Sequence, residues 1–432
     1  MRLADLDHRH LWHPFTPMAP WLTDEPLVIA AAEGCELIDD HGKRYLDGVA
    51  SLWANVHGHR HPRLDAAVRA QLDRVAHSTL LGLTHEPAIR LAERLCAVVP
   101  AGLTRVFYSD SGSTAVEAAL KIALQFHQHR GEPRRTRFIA LTNAYHGDTL
   151  GAVSVGGMDA FHAAFGPLLF PVIHTPPDAE QLESTFAAHP GQIAALILEP
   201  LVQGAAGMRL QPPGFLSRAQ ALCRSHGALL IVDEVATGFG RTGSLFASEQ
   251  ESVTPDLMAL GKGLSGGYLP LAATLTSEEV FSAFLGQPGE YRTFFHGHTF
   301  TGNPLACAAG LASLEIFEQE RTLDHVRILV EDLAQLLERA FRGHPNVREI
   351  RQRGLMIGID LVQRDATPFP PAARTGAKVC RAARHRGVIL RPLGDVLVLM
   401  PPLSIRSDQL TRLISVAHQA LDEVVSGCTP SS

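Results

Sequence analysis

Four short apolar runs recur through the middle of this chain, at Arg105–Tyr108, Arg137–Leu141, Ile193–Leu198 and Ala228–Val232. Each is closed off by polar or glycine-rich turns. A run that is apolar at nearly every position has no wet face, so each reads as a strand covered on both sides, as in a parallel sheet. Helical patterns lie between them. Over Thr114–Phe126, the residues Val116, Ala119, Leu120, Ala123 and Phe126 recur at close to helical spacing. Strands alternating with helices predict an α/β domain with helices on both faces of the sheet. Ligands of such folds gather beyond the carboxyl ends of the strands.

With 432 residues the chain has room for two domains. Beyond about residue 310 the pattern changes. Ile357–Val362 and Val396–Met400 read as strands, and Thr375–His385 and Ser407–Val425 as helices. In the last helix Leu410, Leu413, Ile414, Ala417 and Leu421 form one apolar stripe, and Ser407 is placed to cap it. A smaller α/β domain over 310–432 is predicted, joined by N-terminal strands near Leu27–Ala31 and Glu36–Ile38. The predicted division is 1–50, 51–309 and 310–432, and the closing segment SGCTPSS is predicted to be disordered.

A net charge of -6, with 46% hydrophobic and 19% charged residues, leaves no dominant basic surface. That argues against nucleic acid or an anionic membrane as the main partner. No apolar run is long enough to span a bilayer, and MRLADLDHRHLWH mixes both charge signs, unlike a signal peptide. A cytoplasmic protein is expected. Cys35, Cys96, Cys223, Cys307, Cys380 and Cys428 are scattered and read as reduced thiols. His57, His59 and His61 alternate in HGHRH, either as metal ligands or as hydrogen-bonded residues of a loop and strand entry. No carboxylate or cysteine ligand is near them in sequence, which favours hydrogen bonding, and no metal is expected.

Three segments carry chemistry. Ser109-Asp110-Ser111-Gly112-Ser113-Thr114 follows a strand and opens a helix, as either an anion-binding turn or a capping loop. It lacks the Gly-Lys-Ser/Thr of a nucleotide loop. The run Ala228–Glu234 puts Asp233 at the end of an apolar strand, as a helix cap or as the partner of a cofactor's ring nitrogen. Lys262 then sits between Gly261 and Gly263 at the end of another apolar stretch. Lysines usually face water. One buried beside another cation has a lowered pKa and is suited to Schiff-base chemistry.

Together with DEVATGFGRTG (233–243), LGKGLSGGYLP (260–270) and HGHTFTGNPLACA (296–308), these segments make the chain resemble the class III aminotransferases, a branch of the fold type I pyridoxal-phosphate enzymes. The resemblance runs along nearly the whole length. It implies a large domain built on a mainly parallel seven-stranded sheet and a small C-terminal domain. HLWHPFTPM (10–18), NAYHGDTLGAVSVG (143–156), EPLVQGAAGM (199–208) and RPLGDVLVLMPP (391–402) resemble the branch that aminates 8-amino-7-oxononanoate to 7,8-diaminononanoate in biotin biosynthesis.

The resemblance implies roles residue by residue. Lys262 matches the Schiff-base lysine and proton shuttle, Asp233 the partner of the pyridine nitrogen, and Gly112 with Ser113 the phosphate turn. Tyr145 matches the aromatic residue stacked on the cofactor ring, and Gln203 the hydrogen-bond partner of its phenolic oxygen. Thr299, with His298, matches a phosphate contact supplied by a neighbouring subunit, implying a homodimer. Arg391 matches the residue that grips a substrate carboxylate, and Phe15, Trp53, Tyr145, Lys262 and Gly297 complete the implied substrate site. Arg241 and Asp148 fall in family motifs, as salt-bridging or substrate-contacting residues.

Members using S-adenosylmethionine as amino donor carry tyrosine at the position of Phe15 and paired tryptophans where this chain has Leu52-Trp53. AHSTLLG (76–82) is closer to members that use lysine. The implied partners are a small amine donor, one of these two, and a keto acceptor. The alternatives are another class III enzyme acting on ornithine, 4-aminobutyrate or other ω-amines, or an aminomutase. A cofactor-sensing regulator would need a basic helix-turn-helix extension, and the short N-terminal stretch offers none.

Overall fold

The computed structural model describes residues 2–426. Residues 427–432, with Cys428 and all but the first residue of the tail expected to be disordered, lie outside the described residues. The centre is a seven-stranded sheet of β1 (Leu103–Ser109), β2 (Arg137–Leu141), β3 (Ile173–Thr175), β4 (Ile193–Leu198), β5 (Leu229–Asp233), β6 (Leu257–Leu260) and β7 (Ala272–Ser277). Their order across the sheet is β1-β7-β6-β5-β4-β2-β3. β7 runs antiparallel to both neighbours, and the other strands are parallel to one another.

Every residue of β4, β5 and β6 is buried, because both faces of the sheet are covered. Alternate side chains go to opposite faces. Ala195, Ile197, Leu229, Ile231 and Ala259 pack under the helix Gly112–His129, against Ala115, Val116, Ala119 and Phe126. Leu196, Leu198, Leu230 and Val232 pack on the other face, against Phe215, Leu216 and Leu222 of the helix Phe215–His226. The α/β fold expected from the apolar runs is the one observed.

Two four-stranded sheets flank this centre. Val347–Arg353, Met356–Leu361, Val396–Leu399 and Arg391–Leu393 form one, against which the helices Thr322–Phe341 and Thr375–His385 pack, with the helix Ser407–Ser426 packed on both helices. The predicted stripe Leu410, Leu413, Ile414, Ala417 and Leu421 is buried. Ser407 departs from expectation. It lies inside the helix, and its hydroxyl donates to Asp332 Oδ2 at 3.0 Å rather than capping the helix. The other sheet joins Ile29–Glu33, Glu36–Asp39 and Arg44–Asp47 to Val388–Ile389, tying the N-terminal segment to the C-terminal region.

The three histidines of HGHRH have separate polar partners. Nε2 of His57 pairs with Ser313 at 3.0 Å, that of His59 with Asp47 at 3.0 Å, and that of His61 with Glu320 at 3.2 Å. Burial drives the His57 pKa down to about 3. The described cysteines are free thiols, four of them buried.

Candidate active site

The carboxyl ends of β1, β4, β5 and β6 open on one edge of the sheet, and the segments that follow them build a cavity of about 480 Å³. That size suits a small molecule. Lys262, Asp233, Tyr145, Trp53, Gly112 and Ser113 line it, together with Glu199, His146 and Asp148. Residues spread over more than two hundred positions thus meet in one place, because parallel strands deliver their loops to the same edge.

Lys262 leaves β6 through Gly261 and begins a single tight turn, Lys262–Ser265. Its φ is +37°, a strained value for a side chain of this kind. Glycine just before it eases a close approach. A Cβ on Gly261 would stand 3.2 Å from Gly112 Cα, tight enough that the start of the helix Gly112–His129 would have to give by a few tenths of an ångström. Burial pulls the Lys262 pKa below the usual lysine value; Asp233 and Glu199 oppose that pull, while Arg241 and Arg391 add to it. Its Nζ lies 4.9 Å from the centre of the Trp53 ring.

Asp233 ends β5 and is buried. Its Oδ2 is 2.7 Å from His146 Nδ1, and its Oδ1 accepts the Val235 N–H at 3.0 Å. The helix that begins at Gly112 is capped by Ser111, whose hydroxyl accepts the Thr114 N–H at 3.4 Å. Ser113 Oγ accepts the Thr149 N–H at 3.0 Å and pairs with the Thr149 hydroxyl at 2.8 Å. A helix N-terminus with a hydroxyl beside it offers aligned donors to an anion. Tyr145 donates its hydroxyl to Asp148 Oδ2 at 2.8 Å, and burial pushes its pKa well above the usual tyrosine value.

Arg391 starts the strand Arg391–Leu393. Its Nε is buried without a hydrogen-bond partner, and burial draws its pKa down. Arg241 is fully buried. It makes no salt bridge among the described residues, contrary to one expectation, and does not line the cavity, contrary to the other. Instead it donates to Pro401 O and Asn55 O, each at 2.6 Å, and to Trp53 O at 3.4 Å. These bonds fix an unusual turn: Ala50, Ser51, Leu52 and Trp53 all have positive φ, between 47° and 70°. Asp47 holds it from the other side, accepting the Ser51 N–H at 3.0 Å and the Ser51 hydroxyl at 2.8 Å.

Some expected residues are elsewhere. Gln203 is buried outside the cavity lining, and its amide donates to Thr142 O at 2.9 Å. Gly297, His298 and Thr299 line a second cavity, of about 920 Å³, with His298 Nδ1 2.8 Å from Asp110 Oδ2. Phe15 is exposed and outside the cavity lining, and Phe161 touches both Phe15 and Tyr145 edge-on. Sequence reasoning passed over Glu199, His146 and Arg241's clamp. The first two sit inside motifs that had been quoted, EPLVQG and AYHGD, but neither residue stands out by spacing.

The aminotransferase class-III family model matches residues 18–421. The chain belongs to the class III aminotransferases. This aminotransferase is similar to the adenosylmethionine-8-amino-7-oxononanoate aminotransferase of Nitratidesulfovibrio vulgaris, with 55% identity over 97% of this chain and 81% of the relative. Its structure is similar to that of the enzyme of the same name from Methanocaldococcus jannaschii, with 41% identity, a TM-score of 0.95 and 98% of each chain covered. It is also similar to an omega transaminase from Pseudomonas jessenii, with 31% identity, a TM-score of 0.94 and 99% of each chain covered. No helix among the described residues is long and apolar enough to cross a membrane.

Proposed function

We propose that this aminotransferase uses pyridoxal phosphate to transfer an amino group from S-adenosylmethionine to the ketone of 8-amino-7-oxononanoate, giving 7,8-diaminononanoate for biotin synthesis. The observation that carries the reading is the meeting of Lys262, Asp233 and the helix start at Gly112–Ser113 around one cavity. The substrate pair comes from the relatives' names.

The residues fit the cofactor. A buried lysine of lowered pKa suits covalent attachment of an aldehyde. A buried carboxylate at a strand end suits a pyridine nitrogen. A capped helix N-terminus with the Ser113 hydroxyl suits a phosphate. When bound, the cofactor supplies an electron sink for the carbanion left as a proton departs the amine-bearing carbon.

The protein's own residues do the rest. Lys262 would hold the cofactor's aldehyde carbon and, with an amine in its place, would move the proton between the amine-bearing carbon and that cofactor carbon on the far side of the nitrogen, as general base and then general acid. Asp233, steered by His146, keeps the ring nitrogen protonated. Tyr145 bounds the ring face. Arg391 grips the carboxylate of each substrate in turn, which the buried unpartnered Nε supports. Thr299 and His298 serve the site of a partner subunit in a homodimer, since within this chain they line a separate cavity.

The test is a pair of half-reactions. Holoenzyme is mixed separately with S-adenosylmethionine and with lysine, and the cofactor's absorbance is followed. Conversion by S-adenosylmethionine is expected. Conversion by lysine alone would reassign the donor. Response to neither, with response to ornithine or 4-aminobutyrate, would overturn the proposed substrate.

A further inference from the structure

Glu199 directly follows β4 and is buried. The chemistry above makes no use of it, yet it lines the same cavity as Lys262, Asp233, Tyr145 and Trp53. Its carboxylate joins two segments of chain. Oε1 accepts the Tyr145 N–H at 3.2 Å, and Oε2 accepts the Gly204 N–H at 2.9 Å. The first segment carries the ring that bounds the cofactor. The second passes beside Trp53, where a Cβ on Gly204 would stand 3.4 Å from the indole and 3.7 Å from Glu199 Oε2.

Glu199 has no ion pair among the described residues, and a buried carboxylate with two neutral donors is left partly unsatisfied. The charged and titratable groups that act on it are His146, Asp233 and Lys262. Burial pushes its pKa up to about 7, with His146 drawing it down and Asp233 adding to the rise.

We propose that Glu199 is a positioning residue of this site: it ties the Tyr145 segment to the Gly204 loop and supplies a second negative charge, beside that of Asp233, against which Lys262 is held. The proposal rests on Lys262 carrying the cofactor. It adds a carboxylate whose charge sets how readily the lysine-cofactor linkage holds a proton.

Two variants test it. Glu199→Gln keeps the shape and one acceptor but loses the charge. Glu199→Asp keeps the charge but shortens the reach to Tyr145 and Gly204. In an absorbance titration of the holoenzyme, the midpoint of the lysine-bound cofactor should fall by about one unit in Glu199→Gln, because removing a nearby anion disfavours the protonated linkage. Glu199→Asp should keep the wild-type midpoint and lose kcat. An unshifted Glu199→Gln, or a Glu199→Asp shifted as far as Glu199→Gln, would overturn the proposal. If Glu199→Gln fails to fold by circular dichroism, Glu199→Asp decides alone, since unchanged kcat would then refute the tie. A wild-type protein without any lysine-bound absorbance would instead refute the reading of Lys262.

Discussion

Arg241→Met should loosen the wall of the site by an amount that the structure allows to be worked out. The guanidinium makes two short bonds, to Pro401 O and Asn55 O at 2.6 Å, and a long one to Trp53 O. Charge-assisted bonds of this kind contribute roughly 1.5–3 kcal/mol each, so losing the two short ones costs roughly 3–6 kcal/mol. Removing a buried cation also returns part of its desolvation penalty, which is several kcal/mol per ion, and that return is taken as roughly 2.5 kcal/mol. The balance is a loss of about 2 kcal/mol, about 30-fold in the folding equilibrium. The turn it holds raises the stakes, because each residue of Ala50–Trp53 in the left-handed region costs roughly 1–2 kcal/mol on its own. Urea unfolding followed by tryptophan fluorescence reads the change, and Trp53 itself reports on the turn. Arg241→Lys should fall between the two, since an ammonium cannot fork across separate carbonyls as a guanidinium does. An Arg241→Met protein within about 0.5 kcal/mol of wild type would refute the clamp.

Lys262→Ala should keep the circular dichroism of the wild type and lose both the lysine-bound cofactor absorbance and turnover; retained turnover would sink the assignment. In the cofactor-free protein, Lys262→Met should raise the thermal midpoint at neutral pH. Burial holds the folded-state pKa of the lysine below its ordinary value, so between the two the unfolded chain binds more protons and wild-type stability climbs with pH, a slope that the variant should lack. Arg391→Ala should lower kcat/KM for the keto acid about a hundredfold, the scale of a lost buried carboxylate grip, and spare acceptors without a carboxylate. Mixing inactive Lys262→Ala and Thr299→Ala subunits should restore activity if the partner supplies Thr299, because one site of each mixed dimer is intact; no recovery on mixing would contradict the shared site.

The runs buried on both faces were legible because burial on both faces leaves no choice of composition, and β2 and β4 fall where the sequence predicts them. β7 was not legible. Ala272–Ser277 mixes threonine with alanine, and nothing in it marks a reversed direction. Arg44–Asp47 and Val347–Arg353 were also missed, since charged residues interrupt their apolar pattern even though each pairs with the strand beside it in sequence. In the site, Lys262 and Asp233 could be found because charge at the end of an apolar run is rare. Arg241 could not be resolved, because its acceptors are backbone carbonyls, which carry no signature in the sequence. The left-handed turn at Ala50–Trp53 was equally hidden, having no glycine to announce it.

That turn has a consequence for biosynthesis. Trp53 belongs to the first eighth of the chain, but the bonds that hold its segment against Lys262 come from Arg241, which is itself anchored on Pro401. On a ribosome the wall over the lysine therefore gains its full set of bonds only after Pro401 has emerged. The central sheet is free to form earlier, leaving a nascent chain whose reactive amine is less firmly walled until the Pro401 segment arrives.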